Sequence, residues 1–208
     1  LIKKKMTKKW IKTLDNKSRS PLHVACQNGS FECVKLLVNN ENYKPDINGR
    51  KHIAIIDAAA NGYTDIVLFL LKKGVDINIT NSVKFTALDE AILDEHIDVV
   101  KLLIDHGATK DFDDEKIANL FTKACSTLNK EIYSFFDQKF IIPYNKYGNE
   151  FIGKAVQLEN EELVNYLLDK KCTLDNIGSY VTFSSKWKPF MNFLKEKGVT
   201  FSEMESKT

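Results

Sequence analysis

The sequence predicts an all-α solenoid, a stack of helix-turn-helix units joined by β-turn fingers. Three observations carry that expectation: an internal period of 33 residues, two apolar-periodic helical stretches in each period, and a turn column made only of Asp and Asn. Placing Pro21, Ala54 and Ala87 in register aligns Ala25, Ala58, Ala91 and Ala124, and Gly29 with Gly62. The same step aligns Cys33, Ile66, Val99 and Ile132, then Val34, Val67, Val100 and Tyr133, then Leu36, Phe69, Leu102 and Phe135, then Leu37, Leu70, Leu103 and Phe136. A step of 31 carries the register to Ala155, Leu163, Val164, Tyr166 and Leu167. The turn column, which takes no part in setting the register, reads Asp15, Asn48, Asn81, Asp114 and Asn145.

Taken in order, residues 1–14 read as an N-terminal capping segment with Trp10, Ile11 and Leu14 as apolar anchors. The first unit, 15–47, opens with a turn at Asp15; Ser20 is placed as an N-cap and Pro21 at the first helical position. A short helix over Leu22 to Asn28 should stop at Gly29 in a left-handed C-cap. A second helix follows, with Phe31, Val34, Leu36 and Leu37 expected on one buried face. Units two and three, 48–80 and 81–113, repeat that plan. Unit four, 114–144, keeps Ala124 and the second-helix column, and its Phe135 and Phe136 are bulkier than Leu, so its packing should differ in spacing. Unit five, 145–174, is followed by a degenerate C-terminal cap, 175–200, where the register resumes at Phe190, Phe193, Leu194 and Gly198, and by a tail, 201–208.

The run Ser20-Pro21-Leu22-His23-Val24-Ala25 resembles the T-P-L-H-x-A signature of the ankyrin repeat, as do Asn28-Gly29, Thr86-Ala-Leu and Val99-Val-Lys-Leu-Leu-Ile-Asp-His-Gly-Ala. The resemblance spans about residues 10–200 and is strongest from 15 to 110. It implies a β-turn and two antiparallel helices per repeat, stacked into a curved ankyrin-type solenoid. It also marks a departure: Ile53-Ala-Ile-Ile stands in unit two where T-P-L-H is expected, so the polar bracing should be missing there. The family grips partners on the concave face lined by the fingers and the exposed ends of the first helices. By register, the finger positions are Lys17, Arg19, Arg50, His52, Val83, Phe85, Lys116, Lys146 and Tyr147. The first-helix positions are Gln27, Asn28, Asn61, Leu93, Asp94, Thr127 and Leu158. Arg19, Arg50, His52, Phe85 and Tyr147 are the strongest candidates, because Arg and aromatic side chains dominate interface energetics. The competing readings are a solvated or intramolecular ion pair for Arg19 and Arg50, and packing on a neighbouring finger for Phe85.

The residues that could carry chemistry have plainer roles. His23 and Cys26 stand at i and i+3 with Cys33 nearby, but Cys26 and Cys125 share a column with Ala59, Ile92 and Val156, which reads as core rather than as a metal site. No nucleophile elbow, Cys/His signature or phosphate-binding glycine loop is present in the sequence. The acidic stretch Asp89-Glu90, Asp94-Glu95 and Asp98 reads as a solvated face rather than as paired catalytic carboxylates. The expectation is therefore a non-enzyme with no catalytic residues, no cofactor and no metal.

The charges say more when divided along the chain. Residues 1–52 carry 12 basic and 4 acidic groups, residues 53–115 carry 5 and 13, and residues 116–208 carry 13 and 11, so a formal net of +2 hides a polar molecule. Only Arg19 and Arg50 are arginines, and the acidic middle would repel a phosphate backbone; both argue against nucleic acid. Four cysteines without a C-x-x-C pair suggest a reducing compartment, the cytoplasm by default, with the nucleus or a host cytosol open. No apolar stretch approaches the ~20 residues of a membrane helix. The chain begins on Leu1 and is expected to be a fragment or processed form.

These readings converge on a monomeric protein–protein interaction module, acting as scaffold, adaptor or competitive inhibitor. Its partner is expected to present acidic groups to the first two fingers and an apolar anchor near the third. Two alternatives stay open: a basic-faced binder of nucleic acid or anionic membrane, drawing on the Lys3-Lys-Lys-Met-Thr-Lys-Lys start, and a substrate-recruiting arm of a larger enzyme.

Overall fold

The structure, a computed structural model, describes residues 14–16, 19–40, 53–175, 177 and 188–199. Among them are eleven helices and no strands. They fall into two compact units, one ending at Asp111 and the other beginning at Phe112.

The first unit holds three helix pairs: α1 (Pro21–Gln27) with α2 (Phe31–Val38), α3 (Ala54–Ala60) with α4 (Thr64–Lys72), and α5 (Ala87–Leu93) with α6 (Ile97–Asp105). The first helices stack, α1 on α3 and α3 on α5, while α2 packs on α4 and α4 on α6. Ser20 caps α1 through a reciprocal box with His23, whose Nδ1 lies 3.1 Å from the Ser20 amide. Thr86 and Asp89 form the same box on α5. Between them, Ile53 caps α3 with no side-chain hydrogen bond, so the bracing expected to be missing in the second unit is indeed missing. Ile53 is buried instead, and apolar packing takes over that end of the helix.

The alanine column has a backbone explanation. Gly29, Gly62 and Glu95 follow the first helices at φ +67°, +74° and +61°. The amides of Ser30, Tyr63 and His96 then return to the carbonyls of Ala25, Ala58 and Ala91, the longer-range bond of a Schellman stop. A Cβ on Gly29 would lie 2.6 Å from the Tyr63 ring, and one on Gly62 2.7 Å from the His96 ring. Each glycine thus serves both its left-handed turn and the ring of the next helix pair. His96 also donates from Nε2 to the carbonyl of Ala60, 3.1 Å away.

In the second helices, Val34, Val67, Val100 and Leu37, Leu70, Leu103 are buried as expected. Leu36 is not: it is 60% exposed. At 100° per residue it stands about 200° around α2 from Val34, so it cannot share that face. Cys33 is exposed although Ile66 and Val99 in its column are buried; its unit has no preceding helix pair among the described residues.

The second unit departs further. Its helices are α7 (Asp114–Ser126), α8 (Lys130–Lys139), α9 (Tyr144–Gln157), α10 (Glu161–Asp169) and α11 (Lys188–Glu196). The first helices α7 and α9 have 13 and 14 residues against 7 in α1, α3 and α5. The added turns lie at the N-terminal end, where fingers were expected. Asp113 caps α7 by accepting from the Lys116 amide at 2.9 Å, and Asp114 and Glu115 place negative charge in the first turn, so helix begins in the finger position. Pro143 immediately precedes α9 and starts its helix likewise early. Asp114 and Asn145 of the turn column are therefore helical.

Aromatic side chains fill this unit. Phe121, in the column of Leu22, Ile55 and Leu88, meets Phe151 edge-on at 5.0 Å between α7 and α9. Phe136 is buried and packs edge-to-face with a half-exposed Phe135 at 5.9 Å. Asp137 of α8 accepts from the Tyr144 hydroxyl at 2.6 Å and pairs with Lys170 just after α10. Burial alone would raise its carboxyl, but the Lys170 ammonium and the Tyr144 and Tyr166 hydroxyls outweigh that and hold it below the ordinary carboxylate value. In α11, Phe190 and Leu194 are buried and Gly198 ends the helix at φ +90°.

Candidate partner-binding face

The third finger and the end of α5 form one side of the first unit, and a single side chain organises them. The Asn81 Oδ1 accepts from the amides of Val83 and Phe85 at 3.1 and 2.9 Å, folding the turn, while its Nδ2 donates to Glu90 Oε1 at 3.0 Å. Backbone bonds between Asn81 and Phe85 and from Lys84 to Asn81 close the finger, with Lys84 at φ +68°. The finger is thereby tied beside α5. Val83 at its tip is 63% exposed, and Leu93 at the helix end is 38% exposed. Glu90, Leu93 and Asp94 stand at i, i+3 and i+4 and share one side of the helix end. Burial, the Asp94 charge and the Asp89 charge push the Glu90 carboxyl above its ordinary value, against the hydrogen bond from Asn81.

The first finger is built differently. Asp15 and Arg19 exchange backbone and side-chain bonds: Arg19 N and Nε donate to the Asp15 carboxylate, both at 2.8 Å, and its Nη2 lies 2.8 Å from the same group. Its Nη1 donates to Gln27 Oε1. Arg19 is thus held in the intramolecular ion pair weighed from the sequence, and Gln27 is its second partner.

The remaining candidates separate clearly. Lys17, Arg50 and His52 lie outside the described residues. Asn28 and Asn61 are exposed C-caps whose amides turn back on the carbonyls of Val24 and Asp57 at 2.7 and 2.8 Å. Asp94 is the exposed C-cap of α5, and Phe85 is half-buried. Lys116, Lys146 and Tyr147 require correction. They lie in the first turns of α7 and α9 and not on fingers, because helix replaces the turn there. Tyr147 packs toward Phe151 at 6.5 Å, with Lys146 over its ring.

One structural feature beside this face escapes the sequence reading. Asp89 belongs to a stretch read as a solvated face, yet it is buried, its carboxylate bonded to the Thr86 amide and hydroxyl, both at 2.9 Å. The signal was present in the Thr86-x-x-Asp89 spacing. Cys26, Cys125 and Cys172 are buried in structural columns. Burial, with a smaller push from Asp57, raises the Cys26 thiol to about 12, and burial raises Cys172, which follows Lys171 where Val75 and Ala108 follow Gly74 and Gly107, to about 11. Among the described residues no three His, Cys, Asp or Glu side chains gather as a metal site, and no helix is long and apolar enough to cross a membrane.

Stacked helix pairs with a left-handed stop after each first helix and polar-capped fingers define a class of repeat protein. The chain belongs to the ankyrin-repeat family: the family model for ankyrin repeats (3 copies) matches residues 1–81 and 54–114. Among curated relatives, the ankyrin repeat and KH domain-containing protein mask-1 of Caenorhabditis elegans is 32% identical over 56% of this chain and 4% of its own length. Ankyrin repeat and SOCS box protein 3 of Homo sapiens is 35% identical over 53% of this chain and 29% of its own. A putative ankyrin repeat protein R837 of Acanthamoeba polyphaga mimivirus is 30% identical over 71% of this chain and 22% of its own. The chain thus spans less than a third of each of these relatives. Among solved structures, the human ASB11 ankyrin repeat domain superposes with a TM-score of 0.60 at 19% identity, covering 76% of this chain and 72% of that one. A chain from the complex of the Bdellovibrio bacteriovorus endopeptidase Bd0816 with immunity protein Bd3460 gives 0.58 at 24% identity, covering 78% and 84%.

Proposed function

We propose that this chain is a protein–protein interaction module that binds a partner through the concave face of fingers and first-helix ends, with no catalysis of its own. The ankyrin fold is typically a non-catalytic interaction module, and folds of this kind serve many unrelated partners. The observation that carries the reading is the pair of exposed aliphatic side chains, Val83 and Leu93, held on a finger and helix end that Asn81 ties together. A solvent-exposed valine at a turn tip adds little to its own fold, whereas a partner burying what remains exposed of both side chains would gain about 1–2 kcal/mol at Val83 and about 1 kcal/mol at Leu93. At Arg19 an acidic partner group would have to displace Asp15, whereas Val83 and Leu93 stand exposed, which favours the third finger as the anchor. All four cysteines are free thiols, which suits the cytoplasmic placement.

The test compares proteins captured from a cell lysate by the wild type and by Val83→Ser/Leu93→Ser, identified by mass spectrometry. Selective loss of captured species, with helical circular dichroism unchanged, is the expected result. An identical captured set from both baits would overturn the reading.

A further inference from the structure

Resting on the interaction-module reading above, we propose that the third-finger end of the face takes a cationic segment of a partner protein, two Lys or Arg side chains flanking one aliphatic or aromatic anchor. Charge and apolar surface are interleaved there in a definite order. Leu93 stands next to Asp94 and one turn beyond Glu90 on α5, and Val83 is at the tip of the finger whose Asn81 reaches Glu90. An anchor resting on Val83 and Leu93 would bring the residues on either side of it within reach of both carboxylates.

The stacked columns give the segment a direction. Along the first helices, Val24, Asp57 and Glu90 form one column and Asn28, Asn61 and Asp94 another. Those positions carry no charge in the first unit of the repeat, one carboxylate in the second and two in the third. Among the described residues of the first unit, Arg19 is already committed to Asp15 and Gln27, and Lys35 to Glu32. Lys84, on the third finger itself, is the one nearby cation in that turn, at φ +68°. Asn81 supplies Glu90 with a single donor, and an ionised carboxylate accepts several. The crowding of Glu90 by Asp94 and Asp89 is a cost that an incoming ammonium or guanidinium relieves. Nucleic acid and anionic membrane are disfavoured by the same carboxylates.

The proposal is tested with random twelve-residue peptides displayed on phage. They are panned against the wild type, and the recovered peptides are measured for binding to Glu90→Gln/Asp94→Asn and to Val83→Ser/Leu93→Ser. Helical circular dichroism checks each protein, and Asp94→Asn alone, on an exposed cap, carries the same readout should the double variant lose helix. The expected peptides are net cationic around one apolar residue, lose about tenfold in affinity against the carboxylate-free variant, and weaken as salt rises. Peptides that depend on Val83 and Leu93 but show no cationic bias would overturn the cationic segment while leaving the binding face in place. Enrichment that survives both variants, or none at all, would overturn the inference together with the reading beneath it.

Discussion

Gly62 and Gly74 both adopt a left-handed φ, +74° and +81°, yet their surroundings differ. A Cβ on Gly62 would lie 2.7 Å from the His96 ring, while one on Gly74 would meet nothing within 4 Å. Gly74→Ala should therefore lose about 1 kcal/mol, the backbone strain alone. Gly62→Ala adds overpacking and should lose about 2–3 kcal/mol. Urea unfolding at constant m-value reads both. In a His96→Ala background the extra cost of Gly62→Ala should vanish, because the ring that collides is gone. Glu90 makes a second residue-scale case. Its carboxyl is raised in the folded chain, so folding favours the protonated form; that contribution is present below the unfolded value and lost as pH rises through the folded one. Glu90→Gln should accordingly raise stability at neutral pH and flatten the pH dependence just above the ordinary glutamate value, as measured by thermal melts across pH 4–7. A half-buried carboxylate that weakens the fold fits a role toward a partner.

At the scale of the element, caps decide where helices begin. Thr86→Ala removes the hydroxyl that accepts from the Asp89 amide at 3.2 Å and donates to its carboxylate. It should cost about 1–2 kcal/mol in urea unfolding. A loss near zero would mean that α5 is held, like α3, by apolar packing at its start. The same chemistry explains what was legible in the sequence. Units whose Ser20 and Thr86 announce the first helix were placed almost to the residue, since the cap sits where the register puts it. In the second compact unit the register still located the cores of α7 to α10, including Ala124, Phe136 and Leu167. The starts of α7 and α9 are not legible in the repeat because helix begins earlier than the register does, on the Asp113 side-chain cap in α7 and directly after Pro143, with no side-chain cap, in α9. The 33-residue period carries no information about that competition. For Arg19 the sequence leaves a partner contact and an intramolecular pair both open, since an Asp four residues away reads alike whether solvated or paired.

Over the whole molecule, the near-neutral sum of charges conceals an arrangement with consequences for association. The acidic positions found on the described first helices accumulate toward the third unit. The register offers the candidate face as a set of columns, but periodicity cannot weigh one position in a column against another. Sequence alone puts Arg19, Arg50, His52, Phe85 and Tyr147 first, whereas the proposed anchor rests on Val83 and Leu93, which are exposed, and on Glu90 and Asp94.

The seating of Tyr63 on Gly29 also provides a spectroscopic handle. A glycine whose missing Cβ would fall 2.6 Å from an aromatic ring holds an α-proton inside that ring's local magnetic field. Its resonance should be displaced from the usual glycine region for as long as the second helix pair is docked on the first. That one chemical shift reports fraying of the first helix pair separately from melting of the remainder, which lets binding near the third finger be watched for any effect two repeats away.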